Sequence, residues 1–326
     1  ENFDGKHYLQ LAKHGYGSIY TNYHYAFFPV YPWLIKTFNL FGSYLFSGLF
    51  ISHLCFIFSL FFLYRLIKLD FPSVVAKNSI LLMLLFPTSF FFGSVYTESL
   101  FLLLSVLTFY FARKNNFLLA AVMAGIASAT RISGIFLWLA LMIEFYIANK
   151  SDIKRVLTNP KILNLLIPPL GLIKYLQFQY LKTGDYLFFI HQQPGFGANR
   201  AVEKIILIYQ VFYRYFRMLI FVDHTSLTFF IVVLEFLVAI LFLILCIIAF
   251  KKLRASYLVY CIMSYLLPTF TGTFSSMPRY VLVLFPLFIL LAQWYSYQKP
   301  KIKKVYIFLN IIFGVIAVIK IGRAHV

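Results

Sequence analysis

The chain has 326 residues, 62% hydrophobic and 12% charged, with a formal net charge of +19 and a mean hydropathy of +0.84. Apolar runs of about 20 residues, the length that crosses a bilayer, recur along it; this excludes a water-soluble globule and marks an all-α polytopic membrane protein. The lysines and arginines sit in short clusters between those runs, as cytoplasmic loop ends do, so the charge reports topology and excludes nucleic acid as partner.

The chain opens at Glu1 without an initiator methionine, and a further membrane helix is expected upstream. Phe3-Asp4-Gly5-Lys6-His7-Tyr8 comes next, and as a helix it places Asp4, His7 and Tyr8 on one face. Asp4 is then either a chemical group or a helix cap. Phe27-Phe28-Pro29 and Tyr31-Pro32 bend the chain towards the first span.

Apolar runs lie near residues 44–66, 76–92, 98–112, 117–129, 132–148, 162–181, 226–250, 256–271, 280–294 and 305–319, which predicts about ten spans. Placing Arg65 and Lys68 inside puts Arg113-Lys114, the 150–161 loop, Lys251-Lys252 with Arg254, and 299–304 inside as well. That alternation holds only if residues 204–222 do not cross. A crossing there would bury Arg214 and Arg217 in hydrocarbon at about 2.5–3.5 kcal/mol each. The segment, rich in tyrosine and arginine, is predicted to be an interfacial or re-entrant helix, either packed on the rim or contacting lipid headgroups.

With this orientation the outer face receives Asp4, His7, His14 and His24, the Gly93 to Ser99 turn, Thr130-Arg131-Ile132-Ser133-Gly134, the polar loop 183–200, and Ser275-Ser276-Met277-Pro278-Arg279-Tyr280. Glu98, after Tyr96, falls in the first turn of a helix, where the dipole favours a carboxylate; it either caps that helix or positions substrate. Arg131 interrupts two apolar runs and needs water, a carboxylate or a phosphate, so pairing with Glu98 and phosphate binding both stand. Arg279 starts an apolar helix fixed by Pro278, where free backbone N–H groups and a guanidinium together suit an oxyanion.

His7, His14, His24 and His191 lack the compact spacing of a zinc helix, so no metal site is predicted. Tyr16, Tyr23, Tyr25 and Phe196 are packing residues or stacking platforms for sugar rings. Cys55, Cys246 and Cys261 lie in apolar runs and read as small core residues. Residues 321–326, Ile-Gly-Arg-Ala-His-Val, match the translation of a common sequencing-adapter read and are expected to be foreign to the protein. Residues 1–320 are expected to form one integral membrane domain, with 183–225 as its outer loop and interfacial helix.

The order Asp4-Gly5-Lys6-His7-Tyr8, Gly15-Tyr16, Phe27-Phe28-Pro29, Tyr31-Pro32, Tyr96-Thr97-Glu98-Ser99-Leu100-Phe101, Thr130-Arg131-Ile132-Ser133-Gly134 and Pro278-Arg279-Tyr280 resembles the PIG-V-type mannosyltransferases. These belong to the GT-C superfamily and include the GPI mannosyltransferase II type. The resemblance implies a GT-C-like bundle and a glycosyltransferase that uses a polyprenyl-phosphate-linked sugar, usually mannose, on the extracytoplasmic face. It gives Asp4 the place of the essential acid, preceded here by Phe3 where tryptophan is usual.

Such a donor carries its own leaving group, so one carboxylate suffices as base for the acceptor hydroxyl. Arg279, Arg131, Arg200 and Lys6 are the candidate phosphate ligands, with Glu98, His7, Tyr8 and Tyr96 as substrate-positioning residues. No cofactor beyond the lipid-linked donor is implied. The expected partners are membrane lipids, the polyprenyl-phosphate sugar and a glycolipid or glycan acceptor. The expected location is a microbial plasma membrane, or the endoplasmic reticulum in a eukaryote. The rival readings are a lipid or solute transporter, for which no internal repeat is visible, and a non-catalytic subunit of a glycan assembly complex.

Overall fold

The computed structural model describes residues 4–17, 22–39, 42–196, 200–201 and 204–323, and all regular structure among them is helical. The first helices are α1 (Asp4–His14), α2 (Val30–Thr37) and α3 (Tyr44–Ile67). Then come α4 (Ser73–Leu84), α5 (Glu98–Arg113), α6 (Phe117–Ser128), α7 (Ile135–Ala148), α8 (Ile153–Thr158), α9 (Pro168–Thr183) and α10 (Phe188–His191). The last are α11 (Ile208–Phe221), α12 (Leu227–Lys252), α13 (Ala255–Thr269), α14 (Met277–Tyr280), α15 (Phe285–Ser296) and α16 (Pro300–Arg323).

The ten apolar runs do not become ten straight spans. Among the described residues three helices are long and apolar enough to cross a membrane: Tyr44–Ile67, Leu227–Lys252 and Pro300–Ile319. Proline explains much of the difference, because it lacks the N–H that continues a helix and clashes with the preceding turn. The 76–92 run stops at α4 and resumes after Pro87 as a 3-10 turn over Ser89–Gly93. The 280–294 run breaks into Met277–Val283 and Phe285–Ser296, bent by 84°. The 162–181 run is a 3-10 segment, Pro160–Leu166, followed by α9, which begins at Pro168. Hydropathy therefore located the apolar segments correctly and their straightness incorrectly. Cys246 and Cys261 are buried as expected, while Cys55 is half-buried.

Helix α5 is the axis of the bundle, packed against α3, α6 and α7. Its 16 residues rise about 24 Å and separate two sets of ion pairs. At its C-terminal end Arg113 pairs with Asp70. Nearer the C-terminus of α7, Glu144 accepts from Arg254 Nε and Nη2, both at 3.0 Å, and from Ser256 Oγ at 2.5 Å. At its N-terminal end lies Glu98.

The predicted interfacial helix is α11, a single 14-residue helix. At about 21 Å it is shorter than the hydrocarbon core. It buries Val211 and Tyr215 and exposes Tyr209, Tyr213, Phe216, Ile220 and Phe221.

Close backbone approach fixes the crossing of α6 and α9. A Cβ added at Gly171 would lie 2.0 Å from Gly125 O and 2.4 Å from Ser128 Oγ. Gly171→Ala is expected to force these helices apart and destabilise the fold by roughly 1–3 kcal/mol. The check is the thermal midpoint of the detergent-solubilised protein, and an unchanged midpoint would contradict the crossing.

Candidate functional site

Helix α1 docks on the turn that precedes α5. Gly5 is buried there, and a Cβ at its position would sit in van der Waals contact with Val95 O at 3.4 Å, which measures how closely α1 lies on the turn. This contact brings Asp4 beside Tyr96 and Glu98. Tyr8, one helical turn on, is 7% exposed and meets Phe27 and Tyr31 edge to face, with ring centroids at 5.0 and 5.2 Å. The expected Asp4/His7/Tyr8 face is present.

Arg279 reaches this corner from the far end of the sequence and pairs with Asp4, 275 residues away. Its Nε also lies 3.3 Å from Glu98 Oε1, an ion pair without hydrogen-bond alignment. Glu98 Oε1 accepts from Arg131 Nη1 at 3.0 Å. The result is a linked row, Asp4, Arg279, Glu98 and Arg131, of two carboxylates and two guanidiniums. Glu98 is 1% exposed, and its second oxygen, Oε2, is buried with no hydrogen-bond partner among the described residues.

Aromatic rings enclose the cations. The Arg279 guanidinium sits 5.2 Å from the Tyr96 ring centroid, 5.3 Å from Tyr280 and 5.9 Å from Phe91. Arg131 sits 5.5 Å from both Phe101 and Tyr280. Such faces attract a desolvated cation by about 1–2 kcal/mol each, which helps hold two arginines where water is scarce.

Of the open readings, the structure shows the Arg131–Glu98 pair, and Glu98 both opens α5 and carries the two arginines. The backbone part of the Arg279 expectation is corrected. Helix α14 is only four residues long, and the N–H groups of Met277, Arg279 and Tyr280 already bond to Phe274 O, Ser276 O and Ser276 O. The tight turn consumes them, so the guanidinium is what this segment offers.

The other expected residues divide. Lys6 points to solvent. Arg200 Nη1 donates to Gln193 Oε1 at 2.7 Å, within the polar 183–200 loop. His7 stacks on Phe27 at 5.0 Å and meets His24 edge-on at 5.4 Å. Burial is the largest effect on His7 and lowers its pKa, opposed by the Asp4 charge and assisted by Lys6. Burial, with His7 and His14 nearby, pushes His24 down to about 4, so that ring is neutral at pH 7.

Tyr16 and Tyr25 do not form open stacking platforms. Tyr16 donates to Phe27 O at 2.5 Å and packs on Phe178, and Tyr25 is 6% exposed. Tyr23 stays partly exposed, while Phe3 and the Phe196 side chain lie outside the described residues. His191 pairs with Asp185 at 2.5 Å. Among the described residues no group of three His, Cys, Asp or Glu side chains has metal-holding geometry.

Two sets of residues were missed by motif reading. Thr88 Oγ1 donates to Pro278 O at 2.6 Å and ties the Pro87 bend to the Arg279 segment. Glu235, buried in α12, accepts from Tyr215 OH at 2.6 Å and from Ser276 N at 2.8 Å. Glu235 had a signal: it is the single acid inside a 26-residue apolar helix, and a charge there calls for a function. Two clefts accompany the cluster. One, of about 360 Å³, lies between residues 84–90 and α16 and is walled by apolar side chains. The other, of about 250 Å³, lies beside Arg214, Gln210 and Gly272.

Comparison with known proteins agrees with the fold. The sequence family described as dolichyl-phosphate-mannose-protein mannosyltransferase matches residues 27–173, a stretch that includes Glu98 and Arg131 but neither Asp4 nor Arg279. No curated protein matches the chain in sequence. The fold is similar to that of ArnT from Cupriavidus metallidurans, solved with bound undecaprenyl phosphate, at a TM-score of 0.57 and 14% identity over 91% of this chain. The chain spans 55% of that protein's length. It thus has an ArnT-like, all-helical fold.

Proposed function

We propose that the chain is a membrane glycosyltransferase that moves a hexose, mannose first among them, from a polyprenyl-phosphate donor to a glycolipid or other glycan acceptor on the extracytoplasmic side. Residues 1–320 would act as one domain. The observation that carries this reading is the convergence of Asp4, Arg279, Glu98 and Arg131 at one end of α5. Similarity to a mannosyltransferase family over residues 27–173 and the undecaprenyl phosphate bound by ArnT support the donor class. The PIG-V-like order of motifs supports mannose.

The acceptor oxygen attacks the anomeric carbon as the carbon–oxygen bond to phosphate breaks. The hydroxyl proton passes to the Asp4 carboxylate, and the polyprenyl phosphate leaves with the bonding pair. Attack opposite the phosphate inverts the anomeric centre. Arg279 and Arg131 stabilise the charge that grows on the departing phosphate, with Arg200 at the outer loop as a further cation. Without donor, Arg279 is shared between two carboxylates; a phosphate competes for it and frees Asp4 to accept a proton. Glu98 Oε2, buried without a hydrogen-bond partner among the described residues, would accept from a sugar hydroxyl once the donor opens the cluster.

Asp4→Asn is expected to lower transfer of radiolabelled hexose from polyprenyl phosphate by roughly 10²–10⁴-fold with protein level unchanged, and undiminished transfer would remove Asp4 from the base role. Arg279→Lys keeps the charge but loses the planar fork; turnover should fall by about 10²-fold, measured on the same membranes. Glu98→Gln leaves two buried guanidiniums short of charge and should cost about 3–5 kcal/mol of stability. Its thermal midpoint should therefore drop well below that of Asp4→Asn, whose carboxylate is more exposed.

A further inference from the structure

Arg279 depends on a turn that would not hold its shape alone. Ser276, which begins α14, has φ 65°, a left-handed conformation uncommon for a residue with a Cβ. Such a conformation persists only when its surroundings over-determine it. Four residues earlier Gly272 also turns left-handed, at φ 84°. The segment between them therefore needs external fixing.

Helix α11 and α12 supply it. Arg214 Nη1 donates to Gly272 O at 3.0 Å. The next residue, Tyr215, is hydrogen-bonded through its hydroxyl to Thr273 Oγ1 at 3.1 Å, which itself accepts from Ser275 N at 3.0 Å. The same hydroxyl donates to Glu235 Oε2, and Glu235 Oε1 accepts from Ser276 N. The bonds that tie the turn to α11 and α12 thus run through two adjacent residues of α11, Arg214 and Tyr215, and through Glu235.

The burial pattern agrees. Tyr215 is 2% exposed on a helix whose Tyr209, Tyr213 and Phe216 are more than half exposed. Glu235 is 7% exposed and lies about 12 Å into α12, where a carboxyl group is costly. Neither residue touches the Asp4 row, so their chemistry is spent on the turn.

We propose that Tyr215 and Glu235 are positioning residues that clamp the 272–276 turn and so aim Arg279 at Asp4 and the donor phosphate, an inference that rests on the function proposed above. The clamp makes the interfacial helix part of the catalytic apparatus. Removing it lets Arg279 wander from the leaving group and lowers turnover more than donor binding.

The test is a double-mutant cycle joined to hydrogen exchange on the full chain in detergent. Tyr215→Phe should lower kcat for hexose transfer by roughly tenfold, the scale of one lost buried hydrogen bond, with KM for the polyprenyl-phosphate donor little changed. Glu235→Leu should lower it further, and Glu235→Gln, which still accepts from Ser276 N, should recover most of the loss. In an Arg279→Lys background Tyr215→Phe should have little added effect. A full tenfold loss in both backgrounds would overturn the clamp. Independently of activity, amides of residues 273–279 should exchange faster in Glu235→Leu while those of α3 do not, and unchanged exchange at 273–279 would overturn the clamp even if transfer falls. Wild-type membranes that transfer no sugar would refute the proposed function, and the exchange result would still decide whether the clamp exists.

Discussion

Glu98 holding two arginines is the interaction on which the rest of this end of the molecule depends. A carboxylate that is 1% exposed is tolerated in an apolar bundle only with charge compensation, and Arg131 and Arg279 both provide it at Oε1. Each arginine is then the terminus of another segment: Arg131 closes the α6–α7 turn, and Arg279 closes α14. Asp4 enters last, by pairing with the arginine that Glu98 already orients. The first helix is thereby docked by charge as well as by the Gly5 contact.

The membrane setting raises the value of such an arrangement. With few charges and much apolar surface, the chain confines its buried ion pairs to the two ends of the bundle. Asp70 with Arg113 and Glu144 with Arg254 close one end, and the Asp4 row closes the other. The first end contains pairs that are complete: Glu144 accepts three hydrogen bonds. The second is incomplete, with a buried Glu98 oxygen left over and cations held by aromatic faces that a phosphate would not displace. Completeness suits structure, and a remaining acceptor beside two cations suits chemistry.

Much of this was legible in the residues. Hydropathy marked nearly every helix, and α3, α5, α6 and α12 begin within a residue or two of where the apolar runs begin. The positions of Asp4, Glu98, Arg131 and Arg279 stood out because charges are rare here. Pro87 marks a bent helix end that the structure shows, whereas the break before α15 was harder to see, since a continuous apolar run gives the same hydropathy whether its helix is straight or bent. The aromatic residues stayed open for a related reason: Tyr16 and Tyr25 carry no mark that distinguishes a sugar platform from a packed ring, and the structure shows them packed.

By itself the sequence determined the membrane class, the all-helical character, the apolar segments and the short set of charged residues that chemistry could use. These follow from local composition and from the cost of charge in hydrocarbon, neither of which needs a partner. Only the tertiary structure decided which charges meet: that Glu98 is shared, that Arg279 pairs with an aspartate 275 positions away, and that Glu235 serves a turn rather than the Asp4 row. Those choices depend on how bent helices cross and how closely glycines let backbones approach, and packing of that kind joins residues whose separation along the chain carries no signal.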